Sequence, residues 1–530
     1  MNILKVENLT LETKDKVLLD SVSFEIEKGE VFALVGESGS GKSLTSLAIM
    51  RLLPNGIRVT SGDIFLHNKS LFKLPEYQMQ KVRGKSIAMI FQEPMSALNP
   101  VMSVGEQVAE VIELHLNLKS DEVKERVISL FREVGIKEPE KRYSWYPHQL
   151  SGGQKQRVMI AIALACEPDL LIADEPTTAL DVTIQAQVLN LLKEIQKNRN
   201  LSILFITHDM GVVAQVANRV AVMRHGKIVE QNSISSFFIN PKHPYTKALL
   251  DDIKIKYTPK KKTIDNVLLE VRNLKVHFPI KKGILQKTVG YTKAVDGVSF
   301  FIPEGETLAL VGESGSGKST TGRAILRLLD ITEGSIYFEG KEIANLSQKE
   351  FLSYRNKIQI IFQDPYSALN PRMNIGDIIR EGMVSLKIAP EAKRAQDIII
   401  KKLLVKVGLR EEHFYRYPHE FSGGQRQRIG IARALAVKPK LIICDEPTSA
   451  LDVSVRSKIL KLLQKLQKEE NLSYLFITHD LSIVPVIANS VAVMKDGKIV
   501  EQGLVDNIMN NPKKEYTKRL LESAPKLPKV

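Results

Sequence analysis

The segment GESGSGKS occurs twice in this chain, at residues 36–43 and again at residues 312–319. It has the pattern G-x-x-x-x-G-K-[ST], whose glycines let successive backbone N–H groups turn toward a single anion. The lysine suits the β- and γ-phosphates of a nucleotide, and the serine hydroxyl suits Mg²⁺. Each segment follows a short apolar strand and opens a helical stretch, so the helix N-terminus also attracts the phosphates. Two nucleotide sites are therefore predicted.

The residues predicted to hold the nucleotide phosphates are Gly36, Glu37, Ser38, Gly39, Ser40, Gly41, Lys42 and Ser43 in the first copy, and Gly312, Glu313, Ser314, Gly315, Ser316, Gly317, Lys318 and Ser319 in the second.

Two adjacent carboxylates end an apolar stretch in each half, in LLIADEP at 170–176 and LIICDEP at 441–447. Asp174 and Asp445 suit a contact to Mg²⁺ or its water, because this hard cation takes few protein carboxylates and keeps waters. Glu175 and Glu446 can accept a proton from an attacking water. An acidic strand end is often only a solvated turn, but a phosphate loop in the same half favours the catalytic interpretation.

A Ser-Gly-Gly-Gln segment precedes a helical stretch in each half, in LSGGQKQR at 150–157 and FSGGQRQR at 421–428. Free N–H groups and a serine hydroxyl at a helix start can bind an anion, although a simple helix N-cap explains the same pattern. The predicted second anion sites are Ser151, Gly152, Gly153 and Gln154, and Ser422, Gly423, Gly424 and Gln425.

The elements around these motifs are predicted to be α/β. Short apolar strands at 31–35, 170–174, 202–206 and 219–223 alternate with helical stretches at 43–53 and 182–196, which favours a mostly parallel sheet. Residues 101–165 look largely helical and are predicted to form an inserted helical subdomain.

The whole arrangement is duplicated, because the later motifs recur 271 residues apart, as in GKIVEQ at 226–231 and 497–502. Such a period is too long for a solenoid repeat of about 20–50 residues, so each copy needs its own core. The lysine-rich, apolar-poor stretch between the copies is typical of an exposed linker. We predict a first domain at 1–250, a linker at 251–267 and a second domain at 268–530.

The amino-acid composition excludes several classes of protein. The chain of 530 residues is 43% hydrophobic and 25% charged, as in an ordinary globular protein. Its two cysteines exclude a disulfide framework, and no stretch approaches the ~18 apolar residues of a membrane span. The net charge of +15 suits nucleic acid or an anionic membrane face, and a lysine-rich proteome explains it equally well.

The order of these motifs resembles that of the ATP-binding cassette of ABC transporters, over essentially the whole chain and in both copies. By this resemblance GESGSGKS is the Walker A loop, SGGQ the signature and the Asp-Glu pair the end of Walker B. Gln92 and Gln363 are the Q-loop glutamines, implied to contact Mg²⁺ and water, and His208 and His479 the switch histidines, implied to position the γ-phosphate and water. The D-loops are Ala179, Leu180 and Asp181, and Ala450, Leu451 and Asp452.

The resemblance also implies how the copies work together. Two cassettes of this family stack head to tail, so that each ATP lies between one Walker A loop and the other cassette's signature, and a fused chain makes this pairing intramolecular. The sequence departs from the family at the adenine contact. The family places an aromatic residue after the first strand, and the second copy has Phe278, whereas the first copy has Thr13.

Further segments resemble the ATP-binding subunits of oligopeptide and dipeptide importers, including fused peptide, microcin-type and glutathione importers. They include FQEPMSALNP at 91–100, YPHEFSGGQRQR at 417–428 and NPKHPYTKALL at 240–250. The resemblance implies an ATP hydrolase that serves separate membrane permeases and a solute-binding protein. It also implies a peripheral location on the cytoplasmic face of the bacterial inner membrane.

Two alternatives stay open at this stage. Importers of nickel or other small solutes share these motifs. A soluble tandem ATPase acting on ribosomes or nucleic acid would fit the positive charge, but the chain lacks the long charged linker or zinc cysteines of such proteins, so no specific nucleic acid is expected.

Overall fold

The computed structural model describes residues 2–92, 97–177, 180–253, 266–283, 287–449 and 451–524. Described residues up to 253, apart from 181–183, form one compact unit, and those from 266 to 524 form a second. The helix Pro244–Ile253 runs three residues past the predicted domain end at 250, and the strand Val267–Lys282 begins the second unit. Most of the predicted linker, residues 254–265, lies outside the described residues.

The described residues of the first unit form two sheets. A four-stranded antiparallel sheet has the order Val17–Glu27, Asn2–Glu12, Arg58–Leu66 and Lys69–Ser70. A six-stranded sheet has the order Lys227–Ser233, Arg219–Arg224, Val31–Val35, Ser202–Thr207, Leu170–Asp174 and Ile87–Ile90, and all of its neighbours are parallel except the first pair.

Helices pack against this sheet and form the inserted subdomain. The α-helices of the first unit are Lys42–Ile49, Glu76–Val82, Val104–His115, Ser120–Glu133, Pro139–Arg142, Gly152–Leu164, Val182–Arg199, Met210–Val216, Ile234–Ile239 and Pro244–Ile253, with a 3₁₀ turn at Pro147–Gln149. The predicted helical subdomain at 101–165 is thus helical over most of its length.

The second unit repeats this topology. Its antiparallel sheet has the order Lys287–Pro303, Val267–Lys282, Glu333–Phe338 and Lys341–Glu342. Its six-stranded sheet has the order Ile358–Ile361, Leu441–Asp445, Ser473–Thr478, Thr307–Val311, Ser490–Lys495 and Lys498–Leu504. Its helices are Lys318–Ile325, Gln348–Arg355, Ile375–Ser385, Lys393–Lys406, Gly423–Leu435, Val453–Glu470, Val484–Ile487, Val505–Asn510 and Glu515–Ser523, with 3₁₀ turns at Glu411–Tyr415, Pro418–Glu420 and Leu481–Ile483.

The predicted strands and the mostly parallel sheet are confirmed, and two helix ends were wrong. The helix predicted over 182–196 continues to Arg199. All five residues of Val31–Val35 are buried, as expected of a central strand covered on both faces. The helix after the first glycine loop was predicted over 43–53 but ends at Ile49. Arg51 has a left-handed φ of 52°, which ends the helix even though apolar residues continue.

The parallel strands determine where the motifs can meet. Val31–Val35, Leu170–Asp174 and Ser202–Thr207 are neighbours in the sheet and run in the same direction. Their carboxyl ends therefore share one edge, and in open α/β sheets ligands bind at that edge. The glycine loop, the carboxylate pair and the histidine segment each follow one of these strands.

Candidate functional site

The glycine loop of each unit wraps around the ammonium group of its own lysine. Lys42 Nζ donates hydrogen bonds to Gly36 O at 2.8 Å and to Glu37 O at 2.9 Å. Gly41 has a φ of 107°, and a Cβ at this position would lie 2.3 Å from Leu19 Cδ2, so a larger residue would be strained and crowded. The loop is therefore tightly packed against the first unit's antiparallel sheet.

The second loop has the same arrangement. Lys318 Nζ donates to Gly312 O at 2.8 Å and to Glu313 O at 2.7 Å. Burial lowers the pKa of Lys318, even though nearby carboxylates oppose the shift. A phosphate chain would provide the negative charge that a buried ammonium group favours.

A serine hydroxyl and a buried aspartate meet beside each loop. Ser43 Oγ donates to Asp174 Oδ1 at 3.2 Å, and Ser319 Oγ donates to Asp445 Oδ1 at 2.6 Å. Burial raises the pKa of Asp174 to about 6 and also raises that of Asp445. A buried carboxylate with a raised pKa favours a nearby cation, and two hard oxygen donors are what Mg²⁺ takes from a protein at a phosphate site, so these pairs fit the ion.

Each unit holds its glutamate between a glutamine and a histidine. Gln92 Nε2 donates to Glu175 Oε2 at 3.0 Å, and His208 Nδ1 lies 3.0 Å from Glu175 Oε1. The backbone N–H of Glu175 donates to Ile206 O at 2.9 Å, which ties the residue to the neighbouring strand. Glu175 thus contacts both of the other predicted catalytic residues of the first unit.

The second unit repeats these distances with Gln363, Glu446 and His479, at 3.0 Å for both contacts. Burial opposes ionisation of Glu446, but the hydrogen bond and charge of His479 outweigh it and hold the pKa of Glu446 below its ordinary value. Burial also disfavours the charged imidazole, yet the same contact raises the pKa of His479. The pair therefore favours carboxylate with imidazolium.

The SGGQ segments cap helices in both units. Ser151 Oγ accepts a hydrogen bond from Gln154 N at 3.3 Å, and Gln154 Oε1 accepts one from Ser151 N at 3.0 Å, which together form a capping box. Ser422 and Gln425 make the same pair of contacts. The N-cap interpretation is thus correct for these serines, and the anion site remains a prediction for the N–H groups of the glycines.

The second glycine of each segment has a packing reason. A Cβ on Gly153 would lie 2.7 Å from Ile184 Cγ2, and a Cβ on Gly424 would lie 2.3 Å from Val455 Cγ1. A Cβ on Gly152, in contrast, would meet nothing within 4 Å. The second glycine lets the helix that follows the DEP segment approach the signature helix closely.

Sequence reasoning missed the hairpin behind each loop. In the first unit Gly226 N donates to Ser40 O at 2.9 Å, and a Cβ on Gly36 would lie 2.3 Å from Met223 O. The second unit matches it, with Gly497 N donating to Ser316 O at 3.1 Å. The repeated GKIVEQ was the available signal, since both glycines open that segment.

The predicted adenine contact Phe278 lies in the second unit's antiparallel sheet, whereas Thr13 follows the end of the strand Asn2–Glu12 in the first unit. Phe278 is in the strand Val267–Lys282 and its side chain is 41% exposed, so its ring is accessible. Thr13 forms a turn, in which its N donates to Lys16 O at 2.9 Å and its Oγ1 accepts from Lys16 N at 3.1 Å. A cleft of about 260 Å³ beside the first loop is lined by Lys42, Gln92 and Glu175, and also by Val17 and His225, which the sequence did not single out.

Two predicted D-loop residues, Ala179 and Ala450, lie outside the described residues, as do residues 93–96 of the segment FQEPMSALNP.

Comparisons with known proteins show the family to which the chain belongs. The family model described as "ABC transporter" matches residues 19–178 and 295–449. The model described as "Oligopeptide/dipeptide transporter, C-terminal region" matches residues 229–276 and 500–530. The chain belongs to the ABC transporter family, as a protein with two ATP-binding cassettes.

Several curated relatives match nearly the whole chain. The "Uncharacterized ABC transporter ATP-binding protein YejF" of Escherichia coli (strain K12) is 48% identical over 98% of this chain and 99% of its own length. The "Peptidoglycan transport ATP-binding protein YejF" of Agrobacterium fabrum is 48% identical over 96% of this chain and 93% of its own. The "Glutathione import ATP-binding protein GsiA" of Escherichia coli (strain K12) is 48% identical over 99% of this chain and 90% of its own.

Among solved structures, a dimeric post-hydrolysis state of the ATP-binding cassette MJ0796 bound to ADP and Pi is 29% identical, with a TM-score of 0.41, over 45% of this chain and 98% of that chain.

Membership in this family establishes the reaction class. The chain is an ATP-binding subunit of a transporter that binds ATP and couples ATP hydrolysis to transport. Within the part of the chain that the structure describes, no helix has the length and apolar character needed to cross a membrane.

Proposed function

We propose that this chain is the ATP-hydrolysing subunit of a peptide importer and that it carries two complete hydrolytic sites. The observation that carries the proposal is the repeated contact set, a glutamate held at 3.0 Å by both a glutamine and a histidine in each unit. Each unit has the same three side chains, a glutamate, a glutamine and a histidine, in this arrangement. The matching C-terminal region of oligopeptide and dipeptide transporters and the glutathione importer relative support peptides as the cargo class.

The domain organisation that we propose is a first cassette at 1–250, a linker at 251–267 and a second cassette at 268–530. We further propose that the cassettes pair within one chain, so that each SGGQ segment faces the phosphate bound at the other cassette's loop. This proposal is supported by the glycine N–H groups that open each SGGQ helix, because the first N–H groups of a helix have no partner within the helix and favour an anion.

Hydrolysis follows from the chain's own side chains. Lys42 and Lys318 would leave their loop carbonyls and bind the β- and γ-phosphates, which offsets phosphate charge in the transition state. Glu175 and Glu446 would accept a proton from the attacking water. The histidine beside each glutamate would hold the carboxylate and the γ-phosphate in position relative to each other. The glutamine amide orients the same carboxylate and the water.

Mg²⁺ is proposed to bind at Ser43, Asp174 and Gln92 in the first cassette and at Ser319, Asp445 and Gln363 in the second. When bound, the ion neutralises phosphate charge and polarises the bond that is cleaved.

The proposed partners are membrane permeases, to which the helical subdomains dock, and a solute-binding protein that delivers the peptide. We place the chain on the cytoplasmic face of the bacterial inner membrane as a peripheral subunit. The positive charge of +15 supports this location, since that membrane face is anionic. No specific nucleic acid partner is proposed.

The test is reconstitution of the chain with candidate membrane permeases in liposomes, to which a candidate peptide-binding protein is added. We expect ATP-dependent uptake of a labelled di- or oligopeptide, and a stimulation of ATPase activity by that protein loaded with peptide. Uptake of nickel without uptake of peptide would show that the cargo is nickel and not peptide. Salt-sensitive association with ribosomes, and none with the permeases, would overturn the transport function.

A further inference from the structure

Each cassette ends in a tail helix that is fastened to the hairpin behind the glycine loop. In the second unit the Glu501 carboxylate accepts hydrogen bonds from Lys513 N at 2.7 Å and from Lys514 N at 3.1 Å. The residue lies in the strand Lys498–Leu504, and the tail helix Glu515–Ser523 follows directly. Burial works against its charge, but the hydroxyl of Thr517 and these N–H groups hold the pKa of Glu501 below its ordinary value. The Glu501 carboxylate, which anchors the tail helix, is therefore ionised, and its hydrogen bonds fix where that helix begins.

The first turn of this helix carries Tyr516 to the phosphate loop. Its hydroxyl accepts a hydrogen bond from Glu313 N at 3.3 Å, and Lys495 Nζ lies 4.9 Å from the centre of its ring. Burial raises the pKa of Tyr516 to about 12, so the hydroxyl keeps its proton at neutral pH. The tail helix thus reaches the second residue of GESGSGKS through one side chain.

The peptide group that Tyr516 contacts is held from both sides. Its N–H belongs to Glu313 and donates to the tyrosine hydroxyl, and its carbonyl belongs to Gly312 and accepts from Lys318 Nζ at 2.8 Å. A rotation of this peptide would break both bonds. The tyrosine therefore helps to set the orientation of the backbone that cradles the catalytic lysine.

We propose that Tyr516 is a positioning residue for the second ATP site, which it serves by fixing the Gly312–Glu313 peptide and so preorganising the phosphate loop. This inference rests on the proposed assignment of residues 312–319 as that loop. A loop that is already ordered pays no ordering entropy when the nucleotide binds, so the contact contributes to ATP affinity without touching ATP. The C-terminal region that matches oligopeptide and dipeptide transporters would therefore contribute to nucleotide binding.

The first unit repeats the scaffold of this contact. Glu230 accepts from Lys242 N at 2.8 Å and His243 N at 2.9 Å, and Arg224 lies 4.7 Å from the ring of Tyr245. Glu230 and Tyr245 each precede their second-unit counterparts by 271 residues, the offset of the other late motifs. The attachment of the tail helix to a glutamate of the hairpin is thus present in both copies.

The experiment isolates the second site by equilibrium ATP binding in a Lys42→Ala background. Tyr516→Phe removes only the hydroxyl, and we expect ATP affinity to fall about three- to tenfold, as for the loss of one hydrogen bond. Tyr354→Phe is the matched control, because its ring packs on Phe338 and Phe351 with centroids 6.2 Å apart. That control should leave the affinity unchanged.

Kinetics with both loops intact separate positioning from simple stability. Tyr516→Phe should raise KM for ATP while kcat stays within about twofold and the melting temperature is unchanged. Affinity and KM equal to those of the Tyr354→Phe control would overturn the inference. A loss of melting temperature that accounts for the weaker binding would overturn it too.

A second variant tests the path through the tail. Glu501→Gln loosens the anchor and should weaken ATP binding at the second site, and the effect should largely disappear once Tyr516 is already Phe. Full additivity of the two changes would show that Glu501 does not act through the tyrosine. Lys318→Ala in the same background must abolish ATP binding, and if binding persists, the loop assignment fails independently of Tyr516.

Discussion

Glu175 and Glu446 have left-handed backbone conformations, with φ of 48° and 47°, directly after buried strands. A non-glycine residue in this region costs of order 1 kcal/mol or more, and such strain is concentrated at functional sites. The conformation turns each carboxylate toward the histidine and glutamine of its own unit. The strain thus has an identifiable use.

We expect the double variant Glu175→Gln and Glu446→Gln to bind ATP and to lose about 10²–10⁴-fold in hydrolysis rate, since an amide keeps the shape but cannot accept the proton. Phosphate release measured beside equilibrium ATP binding checks this. Glu138→Gln is a suitable control, because Glu138 also has a left-handed φ, of 52°, and lies in the helical subdomain. Hydrolysis at the original rate would exclude both glutamates as bases.

The two adenine contacts should differ, because Thr13 cannot stack on a base and Phe278 can. Stacking contributes ~1–3 kcal/mol, so Phe278→Ala should weaken ATP at the second loop by about fivefold or more, and Thr13→Tyr should tighten the first. Val17 and His225 line the first cleft, so His225→Ala should also weaken that site. Photolabelling with an azido-ATP, resolved by cassette after cleavage at an inserted protease site, measures each affinity. Site affinities indifferent to all three changes would place the base elsewhere.

For individual residues, the sequence motifs predict which side chains act on the nucleotide, but they do not predict the contacts made through the backbone. The roles predicted for Lys42, Asp174 and Glu175 belong to their side chains, so residue type and spacing suffice to single them out. Gly226 reaches the loop through its N–H group, and Tyr516 contacts an N–H group of another segment. Such contacts depend on tertiary packing, which spacing in one sequence does not encode.

Two of the three glycines in the helix Gly423–Leu435, Gly424 and Gly430, have opposite environments. A Cβ on Gly424 would lie 2.3 Å from Val455 Cγ1, whereas a Cβ on Gly430 would meet nothing within 4 Å. Gly424 is therefore required by the neighbouring helix Val453–Glu470, whereas Gly430 only lowers helix stability.

We predict that Gly424→Ala destabilises the second cassette by about 1–3 kcal/mol through overpacking, and that Gly430→Ala stabilises it by about 0.5–1 kcal/mol. Denaturant unfolding of the two variants beside the parent chain measures both. Adding Val455→Ala should relieve the first change. Equal effects of the two alanines would show that helix packing is not the reason for Gly424.

Periodicity locates the elements well where burial is uniform. The five apolar residues of each central strand have no competing pattern, so Val31–Val35 and Thr307–Val311 were predictable to the residue. The helix that follows the first loop was predicted too long, because its end depends on the left-handed Arg51 and not on hydrophobicity. The antiparallel sheets were missed, since their strands mix buried and exposed residues irregularly.

For the whole molecule, both units carry a complete set of contacts, so two ATP should bind per chain. The hydrolysis-deficient variant that combines Glu175→Gln and Glu446→Gln allows this stoichiometry to be measured at equilibrium with Mg²⁺ present. Lys42→Ala and Lys318→Ala should each reduce it to one. A stoichiometry of one in the parent variant would contradict the equivalence of the two loops.

Coupling to the permeases should depend on Gln92 and Gln363, each of which follows a strand and leads toward the helical subdomain. Changing both to Ala should lower permease-stimulated hydrolysis and peptide uptake more than it lowers ATP binding, because domain motion is driven by differential binding of ATP to one state. ATPase assays with and without permeases check this. Equal losses in binding and stimulation would leave the glutamines with a binding role only.

The position of the strand Val31–Val35 in the sheet has a consequence for synthesis. It pairs with Ser202–Thr207 and with Arg219–Arg224, which the ribosome adds roughly 170 residues later, or about 10–35 s at ~5–20 residues per second. Until then the N–H and C=O groups on both sides of this strand lack their sheet partners, and an unpaired apolar strand is prone to aggregation. Nucleotide cannot assist the folding of this loop early in translation, because the strands that support it have not yet been made.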